Sequence, residues 1–340
     1  IKDGEVVLGD PWADVEKPFP GDGEGDAVRG NIKQIAGPNG VVRRRNPGIR
    51  VLISIGGWTW SGEFSEMAKT HEGRARFVTS VCRFVERYGF DGADIDWEYP
   101  VEGGLPENQR SPDDAANYAL LLEALRGGLD ELGAQHGKRY ELSIAAPAPE
   151  FVRRHLDMGR IARAVDFVNL MAYDFEGSWS QRTGHHSRLF SAGPGQLSVD
   201  SAVEAYLAGG VPPSKLVLGV GFYGRGFANV EASPSTPTGL GAAFSGIPKG
   251  TWEDGVFDYS HLATKMLVPG SAYQSYWDDV AKVPYMYNAQ ERVTISYDDE
   301  NSVGWKMHYV RSRQLGGAMI WELNQDPECV LLDRITQYLG

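Results

Sequence analysis

Cysteine is scarce. Cys82 and Cys329 are the only two in 340 residues, which excludes a disulfide-stapled scaffold and leaves no metal-type Cys/His spacing. One disulfide is arithmetically possible, but Cys82 lies within a helical apolar pattern and reads as a buried free thiol. Cationic charge is short too: 33 Lys and Arg stand against 45 Asp and Glu, a formal net charge of −12. That balance argues against nucleic acid or an anionic membrane surface as partner and favours a neutral or cationic substrate. No apolar run approaches the roughly 18–20 residues that a membrane span needs. The sequence starts at Ile1 without an initiator Met or a signal-peptide pattern, so it reads as a processed or partial chain that does not reveal its own compartment. Internal repeats and low-complexity tracts are absent as well.

What is present is a globular composition, 42% hydrophobic and 11% aromatic, with 42 glycines that imply many tight loops. The length suits one large domain with insertions, or two domains. Residues 1–30 are rich in Gly, Pro and Asp and read as an extended loop. Six apolar segments bounded by turn signals then read as buried strands: Val51–Gly57, Gly92–Tyr99, Glu141–Ala148, Phe167–Asp174, Leu216–Gly224 and Gly316–Leu323. Helical patterns separate several of them. Phe77, Val81, Phe84, Val85 and Tyr88 fall at helical spacing, and Ser111-Pro112-Asp113-Asp114 has the makings of a capped N-terminus for a helix through Tyr118, Leu121, Leu122, Leu125 and Leu129. The pair Gly127-Gly128 should weaken that helix by roughly 1 kcal/mol per glycine. Strand and helix in repetition predict a parallel sheet of the (β/α) barrel type. Between Gly226 and about Asp299 the rhythm breaks into short strand-like pieces (Val283–Asn288, Arg292–Tyr297) and many turn residues. We expect a barrel from residues 1–226 and 300–340, interrupted by a small α+β module at 227–299.

The stretch Phe90–Pro100, FDGADIDWEYP, packs Asp91, Asp94, Asp96 and Glu98 into eight positions. On a strand, side chains alternate with period two. Asp94, Asp96 and Glu98 then share one face, and Ala93, Ile95 and Trp97 the other. A solvated charged loop would not alternate with Ile and Trp in this way. Carboxyls so close cannot all ionise in a low-dielectric interior, so one stays protonated near neutral pH and can serve as a general acid. Glu98, last in the row and longest in reach, is the expected proton donor. A Mg²⁺ or Ca²⁺ site would also account for clustered carboxyls, but the neighbouring residues are aromatic rather than phosphate-binding. The adjacent pair His185-His186 is not read as a metal site, because neighbouring residues rarely ligate one ion together.

The spacing Asp91-x-x-Asp94-x-Asp96-x-Glu98, with Trp97 and Tyr99 interleaved, resembles the signature of family 18 glycoside hydrolases, the chitinases. Four more motifs follow the family's order: Ser54-Ile-Gly-Gly-Trp58, Met171-Ala-Tyr173-Asp174, Tyr223-Gly-Arg225 and Ala318-Met-Ile-Trp321. The resemblance covers most of residues 45–340 and implies a (β/α)8 barrel, no cofactor or metal, and chitin or chito-oligosaccharides as substrate. It also implies an extracellular, monomeric enzyme. It implies a mechanism in which the substrate's own 2-acetamido oxygen attacks C1. Glu98 would act as acid and then base, Asp96 would bind the acetamido N–H, and Asp94 would share a proton with Asp96. Tyr173 would donate to the acetamido oxygen, Met171 would line the acetamido pocket, and Asp174 would bind sugar hydroxyls. Trp321 and Trp58 would offer plates for sugar faces, while Tyr223, Arg225 and Tyr99 would contact sugar. Asp91, at the strand's start, would order backbone.

Two features depart from the family. Only its strands three to eight are recognisable, so the first two strands are expected to be missing, which would expose parallel edges. The segment before the first strand carries Gly37-Pro-Asn-Gly40 where the family has a helix, and that turn should break it. The intact Glu98 favours an enzyme over a sugar-binding lectin on the same fold. The inserted module favours a chitinase, endo-acting, over an endo-β-N-acetylglucosaminidase.

Overall fold

The computed structural model describes every residue except Glu24 and Pro194. The chain forms two compact units, one of Ile1–Ala146 with Phe151–Val168, the other of Pro147–Glu150 with Asn169–Gly340.

In the first unit the strands β1 (Leu52–Gly56), β2 (Gly92–Asp96) and β3 (Glu141–Pro147) lie in that order, followed by the first two residues of β4 (Phe167–Met171). The parallel register sets Ser54 opposite Asp94 and Gly56 opposite Asp96 on one side, and Ser143 opposite Asp94 on the other. All four strands fall inside the segments expected from the sequence. Before β1 the described residues hold helix rather than strand. Trp12–Glu16 makes a wide helical turn closed by Lys17 N on Trp12 O at 2.7 Å, an exception to the extended loop expected over residues 1–30. Gly30–Ile35 and Val41–Arg45 are short helices, parted at the expected break.

Helix His71–Tyr88 buries Phe77, Val81, Phe84, Val85 and Tyr88, the face its spacing predicts. The next long helix, Asp114–His136, starts later than the Ser111 cap suggests. Asp114 explains this: its buried carboxylate accepts from Ser65 Oγ at 2.7 Å and Ser111 N at 2.7 Å, so tertiary bonds turn the Ser111 stretch into a bend ahead of the helix. The same helix runs unbroken through Gly127-Gly128. A Cβ on Gly128 would come 2.5 Å from Val78 Cγ1 in the preceding helix, whereas one on Gly127 would meet nothing within 4 Å. We therefore expect Gly127→Ala to stabilise the protein by about 1 kcal/mol and Gly128→Ala to destabilise it, with urea midpoints moving in opposite directions. Cys82 and Cys329 are both free thiols, and Cys82 is half-buried rather than fully buried.

In the second unit the remainder of β4 is followed by β5 (Leu216–Gly221), β6 (Tyr223–Phe227), β7 (Val256–Asp258), β8 (Gln274–Asp278), β9 (Val283–Asn288), β10 (Val293–Ser296) and β11 (Gly317–Trp321). Its parallel strands lie in the order β4-β5-β11, with Trp321 opposite Gly221. The other five form an antiparallel sheet in the order β7-β6-β10-β9-β8, with Phe257, Leu262, Met286, Val293, Ile295 and Tyr297 as one of its apolar clusters. Tyr223 and Arg225 belong to this second sheet, with Arg225 opposite both Ser296 and Val256, and not to the end of a parallel strand. Six parallel strands occur among the described residues.

Candidate active site

The first unit carries the carboxylate row on β2 and the residues that follow it. Ala93, Ile95 and Trp97 are buried, with Trp97 stacked on Phe64 at 5.2 Å and edge-on to Tyr118 at 5.3 Å. Anchoring that face presents Asp94, Asp96 and Glu98 on the other, as the alternation requires. Asp94 is gripped from both neighbouring strands: Oδ2 accepts from Ser54 Oγ at 2.9 Å and Oδ1 from Ser143 Oγ at 2.6 Å. The Gly56-Gly57 turn closes over the end of β2, with Gly57 N donating to Asp96 O at 2.7 Å. Gly56 has φ 112°, and a Cβ there would sit 2.2 Å from Asp96 O, so only glycine fits.

Glu98 is 8% exposed, and its main chain is held at both ends. Buried Ser61 accepts from Glu98 N at 2.9 Å through Oγ, and Asn108 Nδ2 donates to Glu98 O at 3.0 Å. Asp91, at the foot of the strand, accepts from Val51 N at 3.0 Å and pairs with Arg43 at 2.8 Å, the backbone-ordering part expected of it. Trp58 follows the glycine turn with half of its surface exposed (50%), Trp60 beside it is similarly open, and Tyr99 is half-buried.

Asp96 holds its proton far above the usual carboxylate range. Burial first, then the neighbouring Glu98 and Asp94 charges, push it up to about 8, and its Oδ1 is buried without a hydrogen-bond partner. The sequence reading expected a protonated carboxyl in the row and Glu98 as the donor; desolvation and two like charges converge on Asp96 in its middle. A folded-state value above the unfolded 3.8 means that the folded protein binds the extra proton, so this contribution to stability is full at low pH and is lost as pH rises through about 8. Asp96→Asn removes that loss. Its Tm relative to wild type is expected to climb between pH 5 and pH 9, and parallel Tm curves would refute the assignment.

The second unit holds a separate cluster. Asp174 follows β4 in a left-handed conformation (φ 58°). Arg225 grips its carboxylate through two bonds, Nε to Oδ1 at 2.8 Å and Nη2 to Oδ2 at 2.6 Å, and Tyr223 Oη donates to Oδ1 at 2.8 Å. Burial pushes Asp174 up, but the Arg225 bonds and charge outweigh it and hold the carboxyl below its usual range. Tyr223 and Arg225, expected on sugar, thus spend donors on Asp174. The Arg225 guanidinium also lies 5.3 Å over exposed Trp179. Tyr173 packs edge-on to Tyr223 at 6.1 Å, with Oη 3.8 Å from Met319 Sδ. Met171 is half-buried at the end of β4, and Trp321 closes β11 with 54% of its surface exposed. Sequence reasoning missed Ser61, Asn108, Ser143, Trp179 and Met319. Their partners lie across strands or loops; exposed Trp179 left a trace as an aromatic beside the Tyr173-Asp174 motif, and Met319 stands inside the Ala318–Trp321 motif without being singled out.

The profile described as glycosyl hydrolases family 18 matches residues 1–326. The chain belongs to this family. It is 41% identical over 348 aligned positions to chitinase A1 of Niallia circulans, an alignment that covers 98% of this chain and 48% of that protein. Endochitinase 1 of Metarhizium robertsii is 39% identical over 333 positions, covering 95% and 72%. Among solved structures, chitinase ChiA74 from Bacillus thuringiensis superposes with a TM-score of 0.90 at 37% identity, covering 99% of this chain and 57% of that one. The Ostrinia furnacalis Group IV chitinase in complex with allosamidin gives 0.80 at 29%, covering 91% and 83%. The chain thus spans about half the length of the Niallia relative. Family membership accounts for the occurrence of parallel strands together with an antiparallel sheet.

Proposed function

We propose that this family 18 member is a retaining, endo-acting chitinase that hydrolyses β-1,4-linked N-acetylglucosamine polymers by substrate-assisted catalysis. Glu98 protonates the leaving glycosidic oxygen while the substrate's acetamido carbonyl oxygen attacks C1, giving an oxazolinium ion. Glu98, now a carboxylate, takes a proton from water as that water attacks C1, and the anomeric configuration is retained. Asp96 hydrogen-bonds the acetamido N–H through its unpartnered oxygen and, as its shared proton moves to Asp94, becomes the carboxylate that balances the developing positive charge. Asp94, fixed by Ser54 and Ser143, holds the far end of the proton-sharing row. Tyr173 donates to the acetamido oxygen. Arg225 and Tyr223 orient Asp174 toward sugar hydroxyls. Trp321 and Trp58 stack on pyranose faces, with Met171 and Tyr99 lining the site.

The observation that carries this reading is the complete acidic row, Glu98 included, in a chain matched to the family over residues 1–326. The lectin alternative needs a site without a proton donor, and Glu98 is present with its main chain clamped. No cofactor or metal takes part, and the enzyme works outside the cell as a monomer. The test is release of fluorophore from a chitotrioside, with proton NMR of the first-formed sugar. Expected are turnover and the β-anomer first. Binding without turnover would favour the lectin, α-anomer first would overturn the mechanism, and turnover confined to glycoprotein glycans would favour an endo-β-N-acetylglucosaminidase.

A further inference from the structure

His186, in the second unit, is a buried titratable group with no part in the proposed chemistry. Its side chain is fully buried, and neither ring nitrogen has a hydrogen-bond partner among the described residues. Buried polar atoms are rarely left so. The main chain is fixed on both sides: His186 O accepts from Phe175 N at 2.9 Å, and His186 N donates to Ser296 Oγ at 3.0 Å. The imidazole lies against the Tyr223 ring, with 5.3 Å between centroids, and its Nδ1 is 3.9 Å from Asp174 Oδ1.

Burial lowers this ring to about 4, against the pull of the Asp298 and Asp174 charges and with the push of Lys306 and Arg225. Near pH 7 it is therefore neutral and carries one N–H. Asp174 Oδ1 is the acceptor that Nδ1 faces, so the proton belongs on Nδ1. The separation of 3.9 Å is still too long for a hydrogen bond, and the reason lies on the oxygen. A carboxylate oxygen has about two lone-pair sites, and those of Oδ1 are taken by Arg225 Nε and Tyr223 Oη at 2.8 Å each. Oδ2 receives only Arg225 Nη2, at 2.6 Å, and keeps a site for a sugar hydroxyl. His186 is thus a third donor beside a filled acceptor.

The two donors already on Oδ1 are not held equally. Arg225 is charged and grips the carboxylate at both oxygens, whereas Tyr223 is neutral and holds it by one bond. Tyr223 is the one that can leave, and a neutral imidazole N–H replaces a neutral phenol O–H without changing the charge of the cluster. We infer that His186 is a positioning residue, a reserve donor that closes on Asp174 Oδ1 when bound sugar draws the Tyr223 hydroxyl to itself. Closure shortens the 3.9 Å separation to about 3.2 Å or less. Asp174 then keeps its full set of donors with the site empty or filled, and Tyr223 serves the substrate without leaving a lone pair of the carboxylate unmet. Sugar as the ligand rests on the proposed function; the competition of two donors for Oδ1 does not.

The test uses the whole chain. In ligand-free crystals of Tyr223→Phe, which removes the competing hydroxyl, His186 Nδ1 should lie within about 3.2 Å of Asp174 Oδ1; an unchanged separation would overturn the inference. In Glu98→Gln crystals soaked with chitotriose, Tyr223 Oη should bond to sugar and His186 should close, and Tyr223 still on Asp174 beside bound sugar would overturn it. Nitrogen-15 NMR of the wild type should place the ring proton on Nδ1; a proton on Nε2 would contradict the assignment. On the fluorogenic chitotrioside, His186→Phe keeps a ring against Tyr223 without the N–H, and should raise KM about tenfold with kcat within about threefold of wild type. His186→Asn, whose amide nitrogen takes the place of Nδ1, should recover most of that loss, and His186→Gln, whose amide nitrogen falls nearer Nε2, should not. Wild-type KM in His186→Phe, or equal recovery by Asn and Gln, would reduce His186 to packing and overturn the inference. A wild-type protein that neither binds chitotriose nor turns over the chitotrioside would refute the proposed function, while the ligand-free Tyr223→Phe crystal would still decide the exchange at Oδ1.

Discussion

Glu98→Gln is expected to cut kcat on a fluorogenic chitotrioside by about 10²–10⁴-fold, the range for losing a positioned general acid and base. The substitution keeps shape and volume, and the contacts that hold this residue's backbone come from Ser61 and Asn108, which the change does not touch. KM should therefore shift by no more than about threefold, the pattern of an interaction made only in the transition state, and Tm should stay near that of wild type. Asp96→Asn should also lower kcat, but it keeps a group that can hydrogen-bond the acetamido substituent, so its loss should be smaller than that of Glu98→Gln. Equal rates for wild type and Glu98→Gln would remove Glu98 from the chemistry.

The largest expected change in stability lies away from that row. Lys306 and Asp298 form an ion pair at 2.5 Å with both side chains fully buried, and Asp298 also accepts from Ser187 Oγ at 2.7 Å and Ser302 Oγ at 2.6 Å. Burial pushes Asp298 up, yet the Lys306 charge outweighs it and leaves the carboxyl below its ordinary value. Lys306→Met leaves that carboxylate uncompensated and should cost about 3–5 kcal/mol at pH 7, a large part of the roughly 5–15 kcal/mol that holds a domain folded. Without the lysine, Asp298 rises above its unfolded value and takes up a proton on folding, so the deficit should shrink at pH 5 and widen at pH 8. Adding Asp298→Asn should recover part of the loss. Urea midpoints at the two pH values measure this, and a deficit that ignores pH would contradict it.

The strands of the parallel sheet were legible because buried β-runs bounded by turn residues leave a local signature, and the row on β2 was legible because period two sorts Ile95 and Trp97 from Asp94 and Asp96. What escaped was set by distant partners. Leu216–Gly224 reads as one apolar run, yet Phe222 N donates to Trp321 O at 2.8 Å where β5 has ended and β6 enters another sheet; no residue type marks that switch. Ser111-Pro112 has every local feature of a helix cap, and it lost to the bonds of Asp114 with Ser65 and Ser111. That Asp96 is raised needed burial as well as spacing, since spacing shows three close carboxyls but not how deeply each is desolvated. The pairing of Arg225 with Asp174 joins residues 51 positions apart and belongs to tertiary structure alone.

The clamp on Glu98 has a bearing on protein engineering. The backbone of Glu98, the proposed proton donor, is referenced to Ser61, in the loop after β1, and to Asn108, in the loop that follows the row, so two side chains set its coordinates from outside the strand. A combinatorial library that rewrites either loop to accept new substrates should hold these two positions constant. Designs that graft whole loops without them will sort as binders that have lost turnover, even with every carboxylate retained.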